Sequence, residues 1–569
     1  MGLNALLVAC EGWWWATPGS LVPAQLLVAH AALCAWAAVA WTADQPVLRM
    51  AALVALATSI SLKSPRIDAL ALGALLGALA AWRLTRLEGP RASSRPALPA
   101  HGMVGPLAAL GLAALAAMAS QLLFEGAPHI ADSAAQWFHG RILAGGALAA
   151  PLPATPAAFA QQYVIADGQV QRWYSLYPPG HIAALALGWK LGAPWLVNPV
   201  LGGLAVVVFD RAARNHLGAN GWAAGATLGL AVSPFVVYMS AEAMNHSSAL
   251  AAACLLLYAG QRLHGEPLAG RWWLVAGAAG TWCGLTRPVT AVALSVPVLG
   301  SALWHGRHTP GAVRRALRAL LPALCGLAIL VTWHAGTTGD PWVSGYARFF
   351  ATAGPPVAET GIRAVWTRLA QATDNAAAFN VWALGWPAPA LGLAWLGARR
   401  AGATPFDRAL GLSILSLAAV HAPYFYQDLC FGPRFWFEAT PAALLLAVGG
   451  VRHLAEHARP GFGRWVLPAM LACAVATDCA LAVTLYARPD WWGPWSSAAA
   501  GAVAGPGNTR TVVLVEDEAE WRAVAWRNDP WLRQGPVFAR VRRGETWPTD
   551  QFAGWRIVRA GAPRQGLLW

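Results

Sequence analysis

The sequence has very little charge and almost no lysine. Only 12% of its 569 residues are Asp, Glu, Lys or Arg, and Lys63 and Lys190 are the only lysines. A soluble protein has about 25% charged residues. With 57% hydrophobic residues and a mean hydropathy of +0.45, this composition excludes a soluble enzyme. It also excludes a disordered chain, which would have low hydrophobicity and long polar tracts.

A C-x-x-C pair is also missing from the sequence. Six of the eight cysteines lie inside apolar runs, and we interpret them as small buried apolar residues; they are Cys34, Cys254, Cys283, Cys325, Cys473 and Cys479. Cys430 is expected near the outer surface. The N-terminus has no basic region and no clear A-x-A site, so we expect no cleaved signal peptide.

Long apolar runs are what the sequence does contain. A helix that spans a membrane needs about 20 mainly apolar residues. The runs are unbroken rather than alternating, which favours helices over a closed barrel. Spans are predicted at 20–42, 103–124, 195–212, 219–239, 247–263, 314–335, 379–398, 408–426, 434–452 and 464–487, with shorter runs at 49–63, 67–84, 180–194, 272–286 and 288–305. The sequence therefore predicts an all-α polytopic membrane protein.

The net charge of +14 comes from arginine clusters between these runs. Cytoplasmic loops of membrane proteins are enriched in Lys and Arg, so the clusters predict topology rather than a nucleic-acid partner. The cytoplasmic segments would be 82–102, 210–217, 261–271, 306–318, 399–408 and 452–464, and the outer ones 125–178, 240–246, 336–378, 427–433 and 488–569. An odd number of crossings must separate 125–178 from 210–217. Run 180–194 is therefore predicted to be a juxtamembrane or re-entrant helix.

Three parts of the chain differ in pattern. Residues 1–102 are predicted to hold N-terminal membrane helices, and 103–487 a membrane module with a long outer loop at 125–178. Within that loop, 131–145 is typical of an amphipathic helix. The tail, 488–569, is predicted to be a small outer α+β appendage with strands at 511–515, 536–541 and 555–559.

The outer segments carry an unusual set of ionisable and polar residues. Such groups at a membrane are costly and indicate function, although loop ends are often polar for no functional reason. The set comprises Asp132, His139, Tyr174, Tyr177, His181, Glu242, His246, Arg287, Asp340, Tyr346, Asp428, Arg434 and Glu438.

Five ordered motifs within about residues 103–487 resemble the GT-C superfamily. They are similar to its protein O-mannosyltransferase and aminoarabinose transferase branch, whose members use polyprenyl-phosphate sugars. The motifs are His129-Ile130-Ala131-Asp132-Ser133 with Gln136 and Gly140-Arg141; Tyr177-Pro178-Pro179-Gly180-His181; Ser233-Pro234-Phe235 with Met239-Ser240 and Met244-Asn245-His246; Gly284-Leu285-Thr286-Arg287-Pro288; and Thr338-Gly339-Asp340-Pro341 with Gly432-Pro433-Arg434-Phe435 and Glu438. The resemblance implies a glycosyltransferase that moves a sugar from a polyprenyl phosphate to a hydroxyl of a glycan, lipid or protein.

The resemblance also implies roles for individual residues. Asp132 would be the general base of an inverting transfer, although the same residue could instead cap the helix that it begins. The donor phosphate would be bound by Arg434, Arg287 and His181, with snorkelling to lipid headgroups as the alternative for the two arginines. Substrate-binding residues would be Tyr177, Glu242, His246, Asp340 and Tyr346.

The resemblance leaves open whether a divalent metal is bound. Some members of this branch bind one through paired acidic residues, but here Ser133 follows Asp132. Asp132, Glu242 and His246 could still form a mixed site. The expected location is the bacterial cytoplasmic membrane, with the active site facing the periplasm and membrane lipids around the chain. A transporter or lipid-linked sugar flippase is the alternative, and a non-catalytic scaffold is a third possibility.

Overall fold

The computed structural model describes residues 102–354, 361–385, 390–424, 431–457, 462–487, 510–542 and 552–560. The spans predicted before residue 102 and the predictions for Cys34, Asp428 and Cys430 lie outside the described residues. The helices within these ranges are α1 (Val104–Leu122), α2 (Ala131–Ala144), α3 (Pro179–Lys190), α4 (Val197–Leu217), α5 (Gly221–Ala231), α6 (Pro234–Ala241), α7 (His246–Gly265), α8 (Gly270–Gly284), α9 (Pro288–Gly306), α10 (Ala312–Ala316), α11 (Leu320–Thr337), α12 (Gly345–Ala353), α13 (Gly361–Leu384), α14 (Ala390–Arg399), α15 (Pro405–His421), α16 (Thr440–His457), α17 (Phe462–Ala487) and α18 (Glu518–Val524).

The helices form a bundle whose outer surface is apolar. Among the described residues, five helical segments are long and apolar enough to cross a membrane, or six if α5 and α6 form one bent span. Leu321 and Leu324 of α11 are 61% and 62% exposed, and such a leucine face is suited to lipid rather than to water. The chain is therefore an integral membrane protein, as the sequence predicted.

The same surface corrects two predictions about cysteine. Cys254, Cys283 and Cys473 are buried as expected, but Cys325 and Cys479 are exposed. An apolar run in a spanning helix has a lipid-facing side as well as a buried side, so an apolar setting did not require these two thiols to be buried.

Two predicted spans are not continuous helices. Segment 219–239 is bent by 43° between α5 and α6, because Pro234 lacks an N–H and holds Ser233 in an extended conformation (ψ 121°). Segment 379–398 is divided between α13 and α14, and Gly385 after α13 has a left-handed φ of +72°. The short run 180–194 forms the 12-residue α3, which is too short to cross a bilayer.

The long outer loop is folded. Its predicted amphipathic helix is present as α2, and a three-stranded antiparallel sheet follows, which the sequence did not predict. The sheet has the order β1 (Ala150–Pro151), β3 (Arg172–Ser175), β2 (Val164–Asp167). Ile165 lies opposite Tyr174. These strands were missed because they have only two to four residues and carry no long period-2 pattern.

The described part of the tail forms the predicted α+β unit. Strands β4 (Thr511–Val515), β5 (Val537–Arg540) and β6 (Arg556–Arg559) make a parallel sheet in the order β5-β4-β6. The unit packs on the outer loop, since Trp521 Nε1 donates to the carbonyl of Ala160 at 2.8 Å and Arg141 Nη1 donates to that of Asn528 at 3.1 Å. Loop and tail therefore share one apolar core, and α2 packs on it.

Candidate active site

Most of the predicted site residues that the structure describes meet at one end of the bundle, which we call the loop face; Asp340 does not. This face comprises the start of α2, the loop end before α3, the α6–α7 connection, the residues before α9, and the 3-10 helix Arg434–Ala439. At its centre the two oxygens of Asp132 have different partners. Oδ1 accepts from the Tyr177 hydroxyl at 2.5 Å and Oδ2 from Arg434 Nη1 at 3.1 Å.

Capping of α2 is done by Ser133 rather than by Asp132. Ser133 Oγ accepts from the N–H of Ile130 at 3.3 Å and lies 2.7 Å from its carbonyl. The alternative that Asp132 serves as the helix cap is therefore not what the structure shows. Its carboxylate lies in the first turn of α2, where the helix dipole favours negative charge.

A buried carboxyl group holds this first turn in place. Glu242 is 0% exposed, and its Oε1 accepts from Ser133 Oγ at 2.6 Å and from the N–H of His129 at 2.9 Å. Its Oε2 is buried without a hydrogen-bond partner in the structure. Glu242 thus connects the α6–α7 segment to the residues on either side of Asp132.

Three more predicted residues form a second network. His246 Nε2 receives Arg287 Nη1 at 3.2 Å, so its Nδ1 must carry the proton that is donated to Glu438 Oε1 at 2.9 Å. Arg287 Nε also lies 3.3 Å from that oxygen, and Arg287 Nη1 donates to Asn245 at 3.1 Å. His246 and Glu438 are buried, so the network fixes the position of Arg287.

The two arginines lie against one aromatic ring. The guanidinium carbons of Arg434 and Arg287 are 5.1 Å and 5.8 Å from the centroid of the Phe435 ring. Two positive charges thus lie near the same aromatic side chain, and such a pair of guanidinium groups is suited to bind the oxygens of a phosphate. Arg434 also forms an ion pair with Asp132, whose charge is opposite to its own.

The other three predicted residues differ in their surroundings. Tyr346 packs on Tyr177, with ring centroids 5.9 Å apart, and so lies beside Asp132. His181 is buried, and its Nε2 lies 3.1 Å from the carbonyl of Ala243. Asp340 is in an exposed turn, where its side chain accepts from the N–H of Trp342 at 2.8 Å.

His181 is poorly arranged to hold a phosphate. A carbonyl can only accept, so Nε2 carries the hydrogen and Nδ1 carries a lone pair. Burial lowers the pKa of His181 to about 4, which keeps the ring neutral at pH 7. A neutral ring in this tautomer has no N–H to offer at Nδ1, so phosphate binding is better supported for the arginines.

The geometry gives no support to a metal site. Within the described ranges, no group of three His, Cys, Asp or Glu side chains is placed to hold a metal ion. Of the three candidate ligands, His246 has both ring nitrogens engaged, and Asp132 and Glu242 accept the bonds given above. We therefore derive no step through a metal.

The protonation states of the site follow from burial and from neighbouring groups. Burial alone would raise the pKa of Asp132, but Arg434 and the Tyr177 hydroxyl outweigh it, and the pKa lies below its usual value. Burial and the Asp132 charge raise the pKa of Tyr177, which stays a donor. Burial raises the pKa of Glu242 to about 7, against the hydrogen bonds from Ser133 and the His129 N–H.

Close packing of α3 positions Tyr177 relative to Arg287. The N–H of Gly180 donates to the carbonyl of Leu285 at 2.7 Å, and a Cβ at Gly180 would lie 2.5 Å from Thr286 Oγ1 and 2.8 Å from that carbonyl oxygen. A side chain there would push the two segments apart.

We expect Gly180→Ala to destabilise the protein by about 1–3 kcal/mol, the typical cost of overpacking. The check is a thermal unfolding curve of the purified protein. Gly300→Ala is the matched control, because Gly300 is in α9 with no atom within 4 Å of an added Cβ, and alanine favours a helix. A Gly180→Ala variant that melts with or above Gly300→Ala would contradict the packing argument.

Several residues of the site were not predicted from sequence. Tyr163 and Tyr424 belong to no recognisable motif, and Ser133 lies within the first motif but was given no role. Tyrosine is rare in the sequence, which has only nine, and three of them are in the outer loop. This concentration was the one available signal, because two of the three, Tyr163 and Tyr177, have rings 6.2 Å apart at the site.

No protein-family model matches the sequence, and neither does any curated protein. Solved structures do match. ArnT from Cupriavidus metallidurans bound to undecaprenyl phosphate aligns with a TM-score of 0.53 at 14% identity, over 78% of this chain and 87% of that one. The apo state of ArnT aligns with a TM-score of 0.50 at 15% identity, over 75% and 84%.

An oligosaccharyltransferase of Archaeoglobus fulgidus in the apo form aligns at a TM-score of 0.40 and 10% identity, over 77% of this chain and 64% of that one. The likeness to ArnT, at 14% and 15% identity, is a likeness of fold. For the fold, it confirms the resemblance that the motifs indicated: the chain has the GT-C glycosyltransferase fold.

Proposed function

We propose that the protein is an inverting glycosyltransferase that moves a sugar from a polyprenyl-phosphate donor to a hydroxyl acceptor, with Asp132 as the general base. The observation that carries this proposal is the position of Asp132. Glu242 and Glu438 are 0% exposed, whereas the Asp132 side chain is 23% exposed and contacts Arg434. One reachable carboxylate therefore lies next to the charges suited to a phosphate.

The reaction needs little beyond these groups. The acceptor O–H gives its proton to Asp132 while its oxygen bonds to the anomeric carbon. The bond from that carbon to the phosphate oxygen breaks, and its electron pair leaves with the polyprenyl phosphate. Arg434 and Arg287 stabilise the charge that develops there. Because the acceptor enters opposite the phosphate, the anomeric configuration inverts.

The donor class is supported by the fold. The ArnT structure of the same fold was solved with undecaprenyl phosphate bound, and the two arginines on Phe435 offer this chain a place for such a phosphate. We propose a glycan, lipid or protein as acceptor. We also propose that the loop face lies on the periplasmic side of a bacterial inner membrane, as the arginine-poor outer segments predict.

The remaining predicted residues take supporting roles in this proposal. Tyr177 and Tyr346 border the base, and Glu242 and His246 are buried, so we propose that these two position Asp132 and Arg287 rather than touch substrate. Asp340 accepts a hydrogen bond within its own exposed turn, and we propose no substrate-binding role for it. His181 is proposed only as a support for the α6–α7 segment.

A transporter or lipid-linked sugar flippase remains the second candidate. A transporter places ionisable groups near mid-bilayer on broken helices. The bent α5–α6 pair and the buried Oδ1 of Asp478 within α17 have that character. The clustered charges described above nevertheless lie at the loop face, beside a folded loop that transport does not require.

Reconstitution separates the two candidates. We expect the full-length protein in liposomes to consume hexosyl- or pentosyl-polyprenyl phosphates and release polyprenyl phosphate when an acceptor is present. Movement of the intact glycolipid between leaflets, with no loss of sugar under any acceptor tested, would establish the flippase instead.

A further inference from the structure

Tyrosines are concentrated around the proposed base. Four of the seven tyrosine side chains that the structure describes, Tyr163, Tyr177, Tyr346 and Tyr424, have ring contacts at the loop face. Tyr424 packs on Phe435 with ring centroids 5.0 Å apart, and so lies at the end where both arginines are. Tyr163 packs instead on Tyr177, whose hydroxyl donates to Asp132.

Tyr163 holds a backbone conformation that a tyrosine rarely adopts. Its φ is +64°, in the left-handed region that costs a non-glycine residue about 1 kcal/mol or more. The residue is fixed there, because its carbonyl accepts from the N–H of Leu176 at 3.1 Å just before β2 begins. Glycine would adopt this φ without strain. The presence of a tyrosine here is therefore explained by what its ring contacts and not by the backbone conformation.

The ring of Tyr163 is accessible beside the base, as that of Tyr424, 37% exposed, is beside Phe435. Tyr177 is only 5% exposed, while Tyr163 is half-buried, with its ring 6.2 Å from that of Tyr177 and 5.9 Å from that of Phe349. Its hydroxyl feels the charges of Asp132 and Arg434. A ligand at the base would therefore meet this ring.

A sugar ring suits such a wall. Its C–H bonds form a weakly polar face that packs on an aromatic ring, while its hydroxyls need the polar groups at the edge. In the proposed reaction the anomeric carbon lies between the phosphate, at the arginines, and the acceptor hydroxyl, at Asp132. The ring of the donor sugar then extends to one side of that line, and we assign it to the side on which the rings of Tyr163 and Tyr177 lie.

We propose that Tyr163 is the stacking surface for the sugar ring of the donor, and that it selects glycosylated polyprenyl phosphate over the bare lipid phosphate. This inference rests on the proposed function. It adds a subsite, because Arg434 and Arg287 would contact both lipids through the phosphate, whereas Tyr163 would contact the sugar, which the bare lipid lacks.

The test compares two ligands on the full-length protein in nanodiscs: a panel of hexosyl- and pentosyl-polyprenyl phosphates, and the matched polyprenyl phosphate without sugar. We expect Tyr163→Gly to bind the preferred glycosylated lipid about 10-fold more weakly, a loss of about 1.4 kcal/mol, and to bind the bare lipid as the wild type does. Tyr163→Phe keeps the ring and should stay within about twofold of the wild type.

Folding defects are separated by the choice of variant. Glycine relieves the left-handed backbone but loses the ring contacts with Tyr177 and Phe349, so Tyr163→Gly should melt somewhat below the wild type, and an unchanged affinity for the bare lipid is the check that the site is still folded. Gln171→Gly is the matched control, because Gln171 also has a positive φ (+52°) but is an exposed residue between β2 and β3. It should leave the affinities for both lipids unchanged.

Three outcomes would overturn the inference. Equal weakening for both lipids in Tyr163→Gly would assign the residue to the fold, and unchanged binding of the glycosylated lipid would leave the ring without a role. A wild type that binds no member of the panel better than bare lipid would remove the subsite. If the wild type still transfers sugar in any of these cases, the proposed function stands and only the subsite is lost.

Discussion

Asp132→Asn should lower sugar transfer by about 10²–10⁴-fold, the usual contribution of a general base. An amide accepts the Tyr177 hydrogen bond and keeps the shape of the side chain, but it cannot take the acceptor proton. Binding of the glycosylated lipid should persist, because the arginines and Tyr163 remain. The measurements are single-turnover release of polyprenyl phosphate and, separately, the affinity for the donor.

The chain contains a close control for this variant. Asp167, in the same outer loop, also accepts from a tyrosine (Tyr174 hydroxyl, 3.0 Å) and lies near an arginine (Arg348 Nε, 3.2 Å). It is in β2, where it joins the loop to α12. Asp167→Asn should lower stability and leave turnover per folded molecule unchanged. Equal turnover losses in the two variants would mean that Asp132 acts through the loop structure and not as a base.

The sequence predicted those elements whose signal is local. The α2 helix and the three tail strands agree with prediction to within two residues, because period and composition determine them. The breaks at Pro234 and Gly385 were missed for a different reason. The apolar composition continues through both points, and hydropathy does not report a bend that neighbouring helices stabilise.

The site shows the same division. The residue types at the loop face were predicted, since charge is rare in this chain and Arg clusters mark the opposite side. The pairing of Asp132 with Arg434 was not, because 302 positions separate the two residues. The roles of Ser133 and Glu242 were also missed, since a buried carboxyl that holds a helix turn has no sequence signature.

Arg434 has two competing partners in the proposed mechanism. In the structure Arg434 donates to Oδ2 of Asp132 and lowers the pKa of this carboxyl, so Asp132 is a weaker base while the pair persists. A donor phosphate offers Arg434 a second anion. If the guanidinium turns to the phosphate, Oδ2 is released, and burial again raises the pKa of Asp132. Donor binding would thereby convert a paired carboxylate into a base.

The pH dependence of the reaction tests this exchange of partners, because the direction in which activity changes with pH follows from the charge that Asp132 must carry. Asp132 must be ionised to act, and Arg434 holds its pKa below the usual value in the free protein. Activity is then lost only as the pH falls through that lowered pKa. In the wild type, kcat/KM, which reports the free protein, should stay flat down to about pH 5, above the ordinary Asp pKa of about 3.9. The acid limb of kcat, which reports the donor complex, should lie at higher pH.

Arg434→Gln should remove this difference. Without the guanidinium, burial dominates, so the acid limb of kcat/KM should move up toward that of kcat. The value of kcat/KM at pH 7 should fall about 30-fold, near 2 kcal/mol, the lower end for breaking a buried charge pair because water reaches Asp132. Arg141→Gln is the control, since Arg141 is in the last turn of the helix whose first turn holds Asp132 and donates to tail carbonyls. An acid limb in Arg434→Gln that coincides with the wild type would show that Arg434 does not set the protonation of the base.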